Sequence, residues 1–388
     1  MLKICGVTFD HTTNYGSCLQ AYALQTVIEE MIVQDESCRY ELLPTAIIRQ
    51  NDPKQPVSKE LPWIWAKKRI LREFSRWRRK KFEQFETQNI HYADCSDSQQ
   101  LPALNREYDA FVCGSDVIWN LSFTHADPIY FLAFAEKYKF SYAASFGVMD
   151  IYKDFKVLTE DPEVIYKKYL SRLRRISVRE KSAVAIAGKM TGEPGELVCD
   201  PVLLLTMEQW SKIADHADGR KEKRRYIFAY STYLNSKFMQ FVRRLQQQTG
   251  LPVVQVTWDV KGALKNKIFC FPGPEEWLRL IRDAEYVVTN SFHGVAFCCI
   301  FHKMFFFPLR DDTINRTGIR LSDFLQYCGL EDRIIVGTPE QIDLTPPDYT
   351  SVDSRLNQLR TESITFLQRN LEAAYEEKKQ REQKGSEK

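Results

Sequence analysis

The chain has 388 residues, 44% of them hydrophobic, which is enough for two packed domains. Its formal net charge is only +3, so bulk charge gives no reason to expect a nucleic-acid-binding protein. The ten cysteines form no CxxC pair and no cysteine–histidine spacing suited to zinc, which predicts reduced thiols, no metal and no bound cofactor.

The N-terminal residues, Met1 to Val7, are too short an apolar stretch and too abruptly followed by polar residues to resemble a signal peptide. No apolar run approaches the roughly 20 residues needed to cross a bilayer. We therefore expect a cytoplasmic protein.

The first predicted unit is a strand, Leu2 to Phe9, followed by a polar loop and a helix that begins near Ser17. The loop brings Asn14, Tyr15 and Gly16 to the start of this helix, where free N–H groups favour anions. It contains neither GxGxxG nor GxxxxGK[ST], so neither a dinucleotide fold motif nor a P-loop is supported.

Residues 63–86 predict an unusually basic helix with interleaved aromatic side chains. Nine of the residues from Lys67 to Lys81 are Lys or Arg, and only one is Glu. One interpretation is a surface helix that contacts anionic lipid headgroups or phosphates. The other is a solvated helix that packs its aromatic stripe on the domain.

A second buried strand, Tyr108 to Cys113, leads into a loop of small and polar residues. Ser115 allows a ligand to approach the backbone, and Asp116 offers a carboxylate for a hydroxyl group. The alternative role for Asp116 is to cap the helix that follows.

In the second half, the β-branched run Ala284 to Val288 predicts a buried strand, followed by a turn and an apolar helix. The turn carries a single histidine, His293. In open α/β folds such loops hold the ligand, although a histidine here also suits a helix cap or a buried carbonyl partner.

The alternation of strands and helices predicts an α/β fold with two Rossmann-like domains facing each other across a cleft. We place the first domain at 1–210, the second at 211–345, and a C-terminal helix with an exposed charged tail at 346–388.

Six segments, in this order, resemble the polysaccharide pyruvyl transferase family, and they cover residues 1 to about 335. They are NYGSCLQAYALQ from Asn14, YDAFVCGSDVIWN from Tyr108, SYAASFG from Ser141, ISVRE from Ile176, DPVLL from Asp200 and SFHG from Ser291.

The resemblance implies a glycosyltransferase-B-like fold with the active site between the domains. It implies transfer of the enolpyruvyl part of phosphoenolpyruvate to two sugar hydroxyls, with phosphoenolpyruvate as co-substrate. His293 resembles the family's catalytic histidine, and Arg179 its anion-binding arginine. Binding such a small polyanion requires cationic side chains and free N–H groups.

The sequence departs from the family at one place. Other branches carry an Arg-Leu-His-Gly pattern, whereas here Ser291 and Phe292 precede His293 and Gly294. Either Ser291 and Gly294, with their backbone N–H groups, replace the missing basic contact, or an arginine further along the chain does. The candidates are Arg310, Arg316 and Arg320.

On the acceptor side, we expect the loops of the first domain to bind the sugar, because aromatic rings stack on sugar faces and carboxylates bind hydroxyls. Asp116 is the candidate base. The other candidates are Asn14, Tyr15, Gly16, Ser115 and Trp119.

The resemblance implies that the acceptor is a saccharide of a surface polysaccharide or its lipid-linked precursor. In the first interpretation of the 63–86 helix, that helix makes a peripheral contact with an anionic membrane. Two alternatives remain at this stage: a glycosyltransferase that uses a nucleotide-sugar donor, and a non-catalytic glycan- or membrane-binding protein.

Overall fold

The computed structural model describes residues 1–51, 64–148, 151–152, 160–217, 224–232, 235–257, 271–309, 318–337 and 339–386. Side chains are described for these residues except at 50, 51, 64–75, 318–320 and 385.

The first domain contains a five-stranded sheet whose strand order is β2-β3-β1-β4-β5. Neighbouring strands are parallel, apart from the antiparallel pair β2–β3. A short parallel pair, β6–β7, lies beside β5 through a bridge between Phe140 and Arg175. The strands are β1 (Leu2–Val7), β2 (Ile32–Val33), β3 (Glu36–Leu42), β4 (Ala110–Cys113), β5 (Tyr138–Ser141), β6 (Ser177–Val178) and β7 (Glu196–Leu197).

Helices connect these strands, as parallel neighbours require. They are α1 (Tyr15–Glu30), α2 (Thr45–Asn51), α3 (Ile64–Asn89), α4 (Leu104–Glu107), α5 (Leu121–Thr124), α6 (Pro162–Leu170) and α7 (Lys181–Thr191).

The second domain contains a parallel sheet whose order is β12-β11-β10-β8-β9. Its strands are β8 (Ile227–Ser231), β9 (Val253–Thr257), β10 (Tyr286–Thr289), β11 (Met304–Pro308) and β12 (Ile334–Ile335). The helices from here to the end of the chain are α8 (Met207–Asp215), α9 (Ser236–Thr249), α10 (Pro274–Arg282), α11 (Phe292–Ile300), α12 (Gly318–Cys328) and α13 (Tyr349–Ser386).

Both sheets are buried, as their apolar strands predict. All residues of β4, β8 and β11 are buried, which is typical of parallel strands covered by helices on both faces. One continuous hydrophobic core joins the domains, because side chains of α1, α10 and α11 belong to the same buried cluster.

The predicted fold class is confirmed. Two Rossmann-like domains, each built on a five-stranded and largely parallel sheet, face each other and pack together through α1, α10 and α11. The predicted domain limits at 210 and 345 stay predictions; the first of them falls inside α8, which packs against α10.

The C-terminal helix α13 returns to the first domain. Tyr138 on β5 donates a hydrogen bond to Asn370, and the backbone N–H of Cys199 donates to Ser363. Beyond the predicted end of the helix, Lys378 lies 3.1 Å from Asp109. The charged end continues as helix to Ser386, with most of its described residues exposed and with Lys378 and Arg381 in contact with Asp109 of the first domain.

Candidate active site

The strand orders place two ligand-binding crevices opposite each other. In the first sheet the order reverses between β1 and β4, and in the second between β8 and β10. Ligands of open α/β sheets bind outside the carboxyl ends of the strands at such switch points. Gly16 and His293 lie in the first turns of the helices that follow β1 and β10, and Ser115 and Asp116 lie in the loop after β4. These four predicted site residues therefore share this location.

His293 lies in the first turn of α11, directly after β10. Ser291 caps this helix by accepting a hydrogen bond from the N–H of Gly294. Gly294 is required here, because a Cβ at this position would lie 2.4 Å from Oγ1 of Thr289. Tight packing between strand and helix thus fixes the backbone that carries His293.

The imidazole of His293 packs against the first turn of α1. A Cβ built on Gly16 would lie 1.9 Å from Nδ1 of His293, so only a glycine leaves room for the ring. The N-terminal turns of α1 and α11 therefore meet at this histidine, and helix N-termini favour anions.

Asp200 is the residue that joins the site. Its Oδ2 lies 2.5 Å from Nη1 of Arg179, 3.4 Å from Nε2 of His293 and 3.4 Å from Oγ of Ser115. Its Oδ1 accepts a hydrogen bond from the N–H of Val202. Burial disfavours the charged carboxylate, but His293 and Arg179 hold the pKa of Asp200 well below its ordinary value.

The contact between Asp200 and His293 is within ion-pair range but lacks hydrogen-bonding geometry. Within the described part of the chain, Nε2 of His293 is buried without a hydrogen-bond partner. The imidazole therefore has capacity to bind a ligand group.

Arg179 follows β6 and is almost completely buried. Its guanidinium lies over the ring of Phe292, 4.7 Å from the centroid, a cation–π geometry that holds it toward the second domain. Burial lowers the pKa of Arg179, but Asp200 and Asp116 outweigh this effect and raise it. Arg179 is thus a fixed cation in the cleft.

Asp116 does not cap the helix that follows it, because Asn120 caps α5. Instead, its Oδ2 accepts a hydrogen bond of 2.5 Å from Ser17 in the first turn of α1. Its Oδ1 accepts from the N–H of Val117. The carboxylate therefore lies at the edge of the cleft where β1 and β4 end, and both of its oxygens already accept hydrogen bonds within the protein.

The predicted acceptor residues in the first loop have structural contacts. Asn14 caps α1 by accepting from the N–H of Gly16. Tyr15 is fully buried, stacks on Trp277 of the second domain at 4.9 Å, and donates to the carbonyl of Pro272. Tyr15 thus links the two domains and has no exposed ring face.

Trp119 is also fully buried. Its Nε1 donates to the carbonyl of Tyr130, and its ring stacks on Phe131. In this structure the indole belongs to the core of the first domain and offers no surface to a sugar.

A sequence model of one family, described as polysaccharide pyruvyl transferase, matches residues 14–307. The chain belongs to the polysaccharide pyruvyl transferase family. This match confirms the resemblance on the six segments, and it supports a transferase of polysaccharide biosynthesis.

Several solved structures are similar to this pyruvyl transferase family member. S. aureus MnaA in complex with UDP shares 14% identity, with 96% of this chain and 91% of that chain covered and a TM-score of 0.48. UDP-GlcNAc 2-epimerase from Neisseria meningitidis, bound to UDP-GlcNAc, shares 9% identity, with 95% and 94% covered and a TM-score of 0.45. The wall teichoic acid polymerase TagF shares 11% identity, with 97% and 83% covered and a TM-score of 0.45. Among curated proteins, no sequence matches this chain.

The Ser291 hydroxyl accepts from the N–H of Gly294 as a helix cap, which does not use the hydroxyl's own proton. The expectation that Ser291, with backbone N–H groups, replaces the family's missing basic residue stays a prediction. Of the three candidate arginines, Arg310 and Arg316 lie outside the described residues. Position 320 is in the first turn of α12, and its side chain is not described.

Sequence reasoning missed Asp200 as a site residue. The segment DPVLL was recognised, yet nothing local showed that its carboxylate binds partners from two other segments. The signal available was an acidic residue at the start of a family segment, with no Lys or Arg between Lys189 and Lys212 to pair with it.

The basic helix, α3, packs its apolar stripe on the body of the protein. Phe82 and Phe85 are buried, and Arg78 donates to the carbonyl of Thr13. Lys81 pairs with Glu276 of the second domain. Trp77 is half exposed, and its neighbours Arg76, Arg79 and Lys80 are exposed.

None of the helices in the described residues combines the length and hydropathy that a membrane span requires. No group of three or more His, Cys, Asp or Glu side chains in the described ranges is arranged to hold a metal ion.

Proposed function

We propose that this protein transfers a pyruvyl group from phosphoenolpyruvate to two hydroxyls of a saccharide, forming a cyclic ketal and releasing phosphate. The saccharide belongs to a surface polysaccharide or its lipid-linked precursor. The observation that carries the proposal is that His293 and Arg179, from different domains, meet at one buried carboxylate, Asp200, between the two switch points.

The geometry suits a small polyanion. Arg179 supplies a fixed positive charge, and the positive ends of the α1 and α11 helix dipoles meet beside His293. A donor that carries both phosphate and carboxylate gains from all three features. Binding in this cleft also contacts both domains, which orients the donor toward an acceptor.

The overall reaction balances without an oxidant or a metal. The methylene carbon of phosphoenolpyruvate gains a proton and becomes the methyl group of the ketal. Two sugar oxygens form bonds to the central carbon, and its bond to the phosphate oxygen breaks. Of the two hydroxyl protons released, one matches the proton gained at carbon and the other leaves with phosphate.

In this scheme His293 moves the proton that assists phosphate departure or protonation of the methylene carbon. Asp200 positions the imidazole and Arg179 together. Asp116 is the proposed base for a sugar hydroxyl, which requires that the bond from Ser17 be exchanged for one from the substrate.

The test of the reaction is to incubate the protein with phosphoenolpyruvate and a panel of saccharides. Phosphate release is measured, and the product is analysed by mass spectrometry for the ketal. We expect release in the wild type and a loss of about a hundredfold or more in His293→Gln. His302→Gln is the matched control, because His302 pairs with Asp353 at the surface.

The result that would contradict the proposal is sugar transfer from a nucleotide sugar such as UDP-GlcNAc, with no use of phosphoenolpyruvate. That outcome would make the protein a glycosyltransferase with the same fold. Unaltered turnover in Asp116→Asn would remove the base role of Asp116 alone.

We also propose a peripheral contact between α3 and an anionic membrane. Its packed face uses Phe82 and Phe85, whereas the face with Arg76, Trp77, Arg79 and Lys80 is exposed. Cations flanking an exposed indole suit the interface between headgroups and acyl chains. Such a contact would place the cleft near a lipid-linked acceptor.

A further inference from the structure

We propose that His11, held by Asp10, is the base that takes the proton of the second acceptor hydroxyl. This inference rests on the proposed function, in which two hydroxyls of one saccharide lose their protons as their oxygens bond to the central carbon. Asp116 is the proposed base for one of them, and both of its oxygens already accept hydrogen bonds within the protein. The other hydroxyl needs a second proton acceptor beside the cleft.

The segment between β1 and α1 carries this histidine at the carboxyl edge of the first sheet. At its start, the hydroxyl of Thr8 donates a hydrogen bond to the carbonyl of Ser115 in the loop after β4. At its end, Gly16 packs against the imidazole of His293. His11 lies between these two contacts, at the switch point where ligands of such sheets bind.

His11 and Asp10 form a hydrogen-bonded dyad. Nδ1 of His11 lies 2.6 Å from Oδ2 of Asp10, whose side chain is completely buried. Oδ1 of Asp10 accepts from the hydroxyl of Thr45 and from the N–H of Ala46. Because these bonds stabilise the ionised carboxylate, Nδ1 donates to it, and the neutral imidazole carries its free lone pair on Nε2. A carboxylate that orients a histidine in this way prepares it to accept a proton.

The imidazole of His11 is held in place, yet a ligand can reach it. Its ring contacts the ring of Tyr92, with centroids 4.8 Å apart, and 30% of its side chain is exposed. The backbone of His11 has a φ of +48°, in the left-handed region that residues other than glycine rarely adopt. Such conformations are retained where surrounding contacts hold them, and they cluster at active sites.

The charges around the dyad favour a proton on His11. The hydrogen bond to Asp10 is the main reason that the pKa of His11 is raised, and it outweighs burial, which lowers the pKa. Among the described residues, the carboxylates of Glu86 and Glu83 on α3 also raise it. Burial raises the pKa of Tyr92, so this neighbour stays neutral. His11 is therefore a stronger base than a free imidazole.

The proposed step balances in atoms and electrons. Nε2 of His11 takes the proton as the hydroxyl O–H bond breaks, and the electron pair of that bond stays on the oxygen that bonds to the central carbon. Asp10 balances the positive charge of the imidazolium. The proton then leaves with phosphate, which returns His11 to its neutral form.

The test compares His11→Gln and Asp10→Asn with the wild type and with His125→Gln. His125 is an exposed histidine of the first domain with a similar left-handed backbone, at a φ of +53°, so it is the matched control. Ketal formation from phosphoenolpyruvate and a panel of saccharides is measured, and phosphoenolpyruvate binding is measured by calorimetry. We expect turnover to fall by about a hundredfold or more in the two dyad variants. Their binding of phosphoenolpyruvate and the turnover of His125→Gln should not change.

The pH profile separates a base from a residue with a structural role. In the wild type, kcat/KM should rise with pH through a pKa above the ordinary value of 6.5, because the neutral imidazole is the active form. His11→Gln should lose this rise. Glu86→Gln, which removes the neighbouring carboxyl whose pKa is about 7, should keep it. A rise above pH 6.5 that persists in His11→Gln overturns the inference.

A parallel assay with UDP-GlcNAc as donor distinguishes this inference from the proposed function. Sugar transfer from UDP-GlcNAc that His11→Gln abolishes would support His11 as a base for an acceptor hydroxyl, although the proposed function would fail. Ketal formation that His11→Gln leaves unchanged would overturn the role of His11 and keep the proposed function. A folded wild type with neither activity overturns both.

Discussion

The contact between Gly16 and His293 leaves no space for a side chain. A methyl group on Gly16 would lie 1.9 Å from Nδ1 of the imidazole, closer than non-bonded atoms approach. The histidine, held on the buried first turn of α11, cannot retreat without disturbing its packing.

We therefore predict that Gly16→Ala lowers phosphoenolpyruvate-dependent turnover by about a hundredfold, because displacement of a catalytic group by about 1 Å has this effect. Gly188→Ala is the control, since a Cβ there meets its nearest atom at 3.4 Å within helix α7. Turnover is measured after folding is checked by circular dichroism. Equal activity of both variants would show that His293 is not the reacting group.

Asp200 is the second residue on which the site depends. The carboxylate is buried and neutralises Arg179 at 2.5 Å. Replacing it with a neutral amide leaves a buried guanidinium without its counter-charge.

We predict that Asp200→Asn lowers the free energy of unfolding by about 3–5 kcal/mol, the usual effect of removing one partner of a buried ion pair. The matched variant Asp353→Asn breaks the exposed pair with His302 and is expected to cost less than about 1 kcal/mol. Urea denaturation measures the free energy of unfolding of both variants and of the wild type. Similar losses in the two variants would mean that the Asp200 pair is not a buried charge pair.

At the scale of elements, α3 joins the two domains and buries a carboxyl group. Burial raises the pKa of Glu86 on its packed face to about 7, although nearby His11 works against this shift. A carboxyl whose pKa is raised by folding destabilises the protein above that pKa, where it is charged in both states. The penalty disappears below its ordinary value of 4.5, where it is neutral in both states.

Glu86→Gln is therefore expected to stabilise the protein at pH 8, by at most about 3 kcal/mol for a shift of this size. The gain should shrink between pH 7 and pH 4.5. Melting temperatures measured across this pH range test the prediction, with Glu193→Gln, which removes an exposed carboxylate elsewhere in the first domain, as control. A stabilisation that does not depend on pH would contradict the raised pKa.

Individual elements were predictable because their signals are local. Alternating apolar strands and amphipathic helices define each βα unit, and the family segments place His293 and Arg179 after strands. The role of α13 was not predictable in the same way. Its charged sequence is typical of an exposed tail. The contacts of Lys378 with Asp109 and of Asn370 with Tyr138 form only after the helix has folded back onto the first domain.

The same limit applies to residues within the site. In the sequence, Tyr15 falls in a stretch predicted to be a polar loop, which suggested a contact with the ligand. In the structure it begins α1 and stacks on Trp277 of the other domain. Asp200 gains its role from Arg179 and His293, which are distant in sequence. Pairings between domains leave no periodic or local pattern, so sequence reasoning found the loops and not the contacts within them.

At the scale of the whole molecule, the exposed face of α3 predicts salt-sensitive binding to membranes. At low salt the protein should co-sediment with vesicles that contain an anionic lipid. It should dissociate from them as salt rises, because the Debye length shortens to about 10 Å at 0.1 M ionic strength. Arg79→Gln with Lys80→Gln should weaken this binding. Vesicles of neutral lipid are the control, and a failure to bind anionic vesicles at low salt would remove the proposed contact.

The central claim is that phosphoenolpyruvate binds in the cleft where Arg179 and His293 meet. Calorimetric titration of the folded wild type with phosphoenolpyruvate tests it most directly, alongside Arg179→Ala and the surface variant His302→Gln. The account predicts saturable binding that Arg179→Ala weakens by about tenfold or more, as loss of a charge-assisted contact requires, and that His302→Gln leaves unchanged. The absence of binding by the wild type, or equal binding by a folded Arg179→Ala, would contradict it.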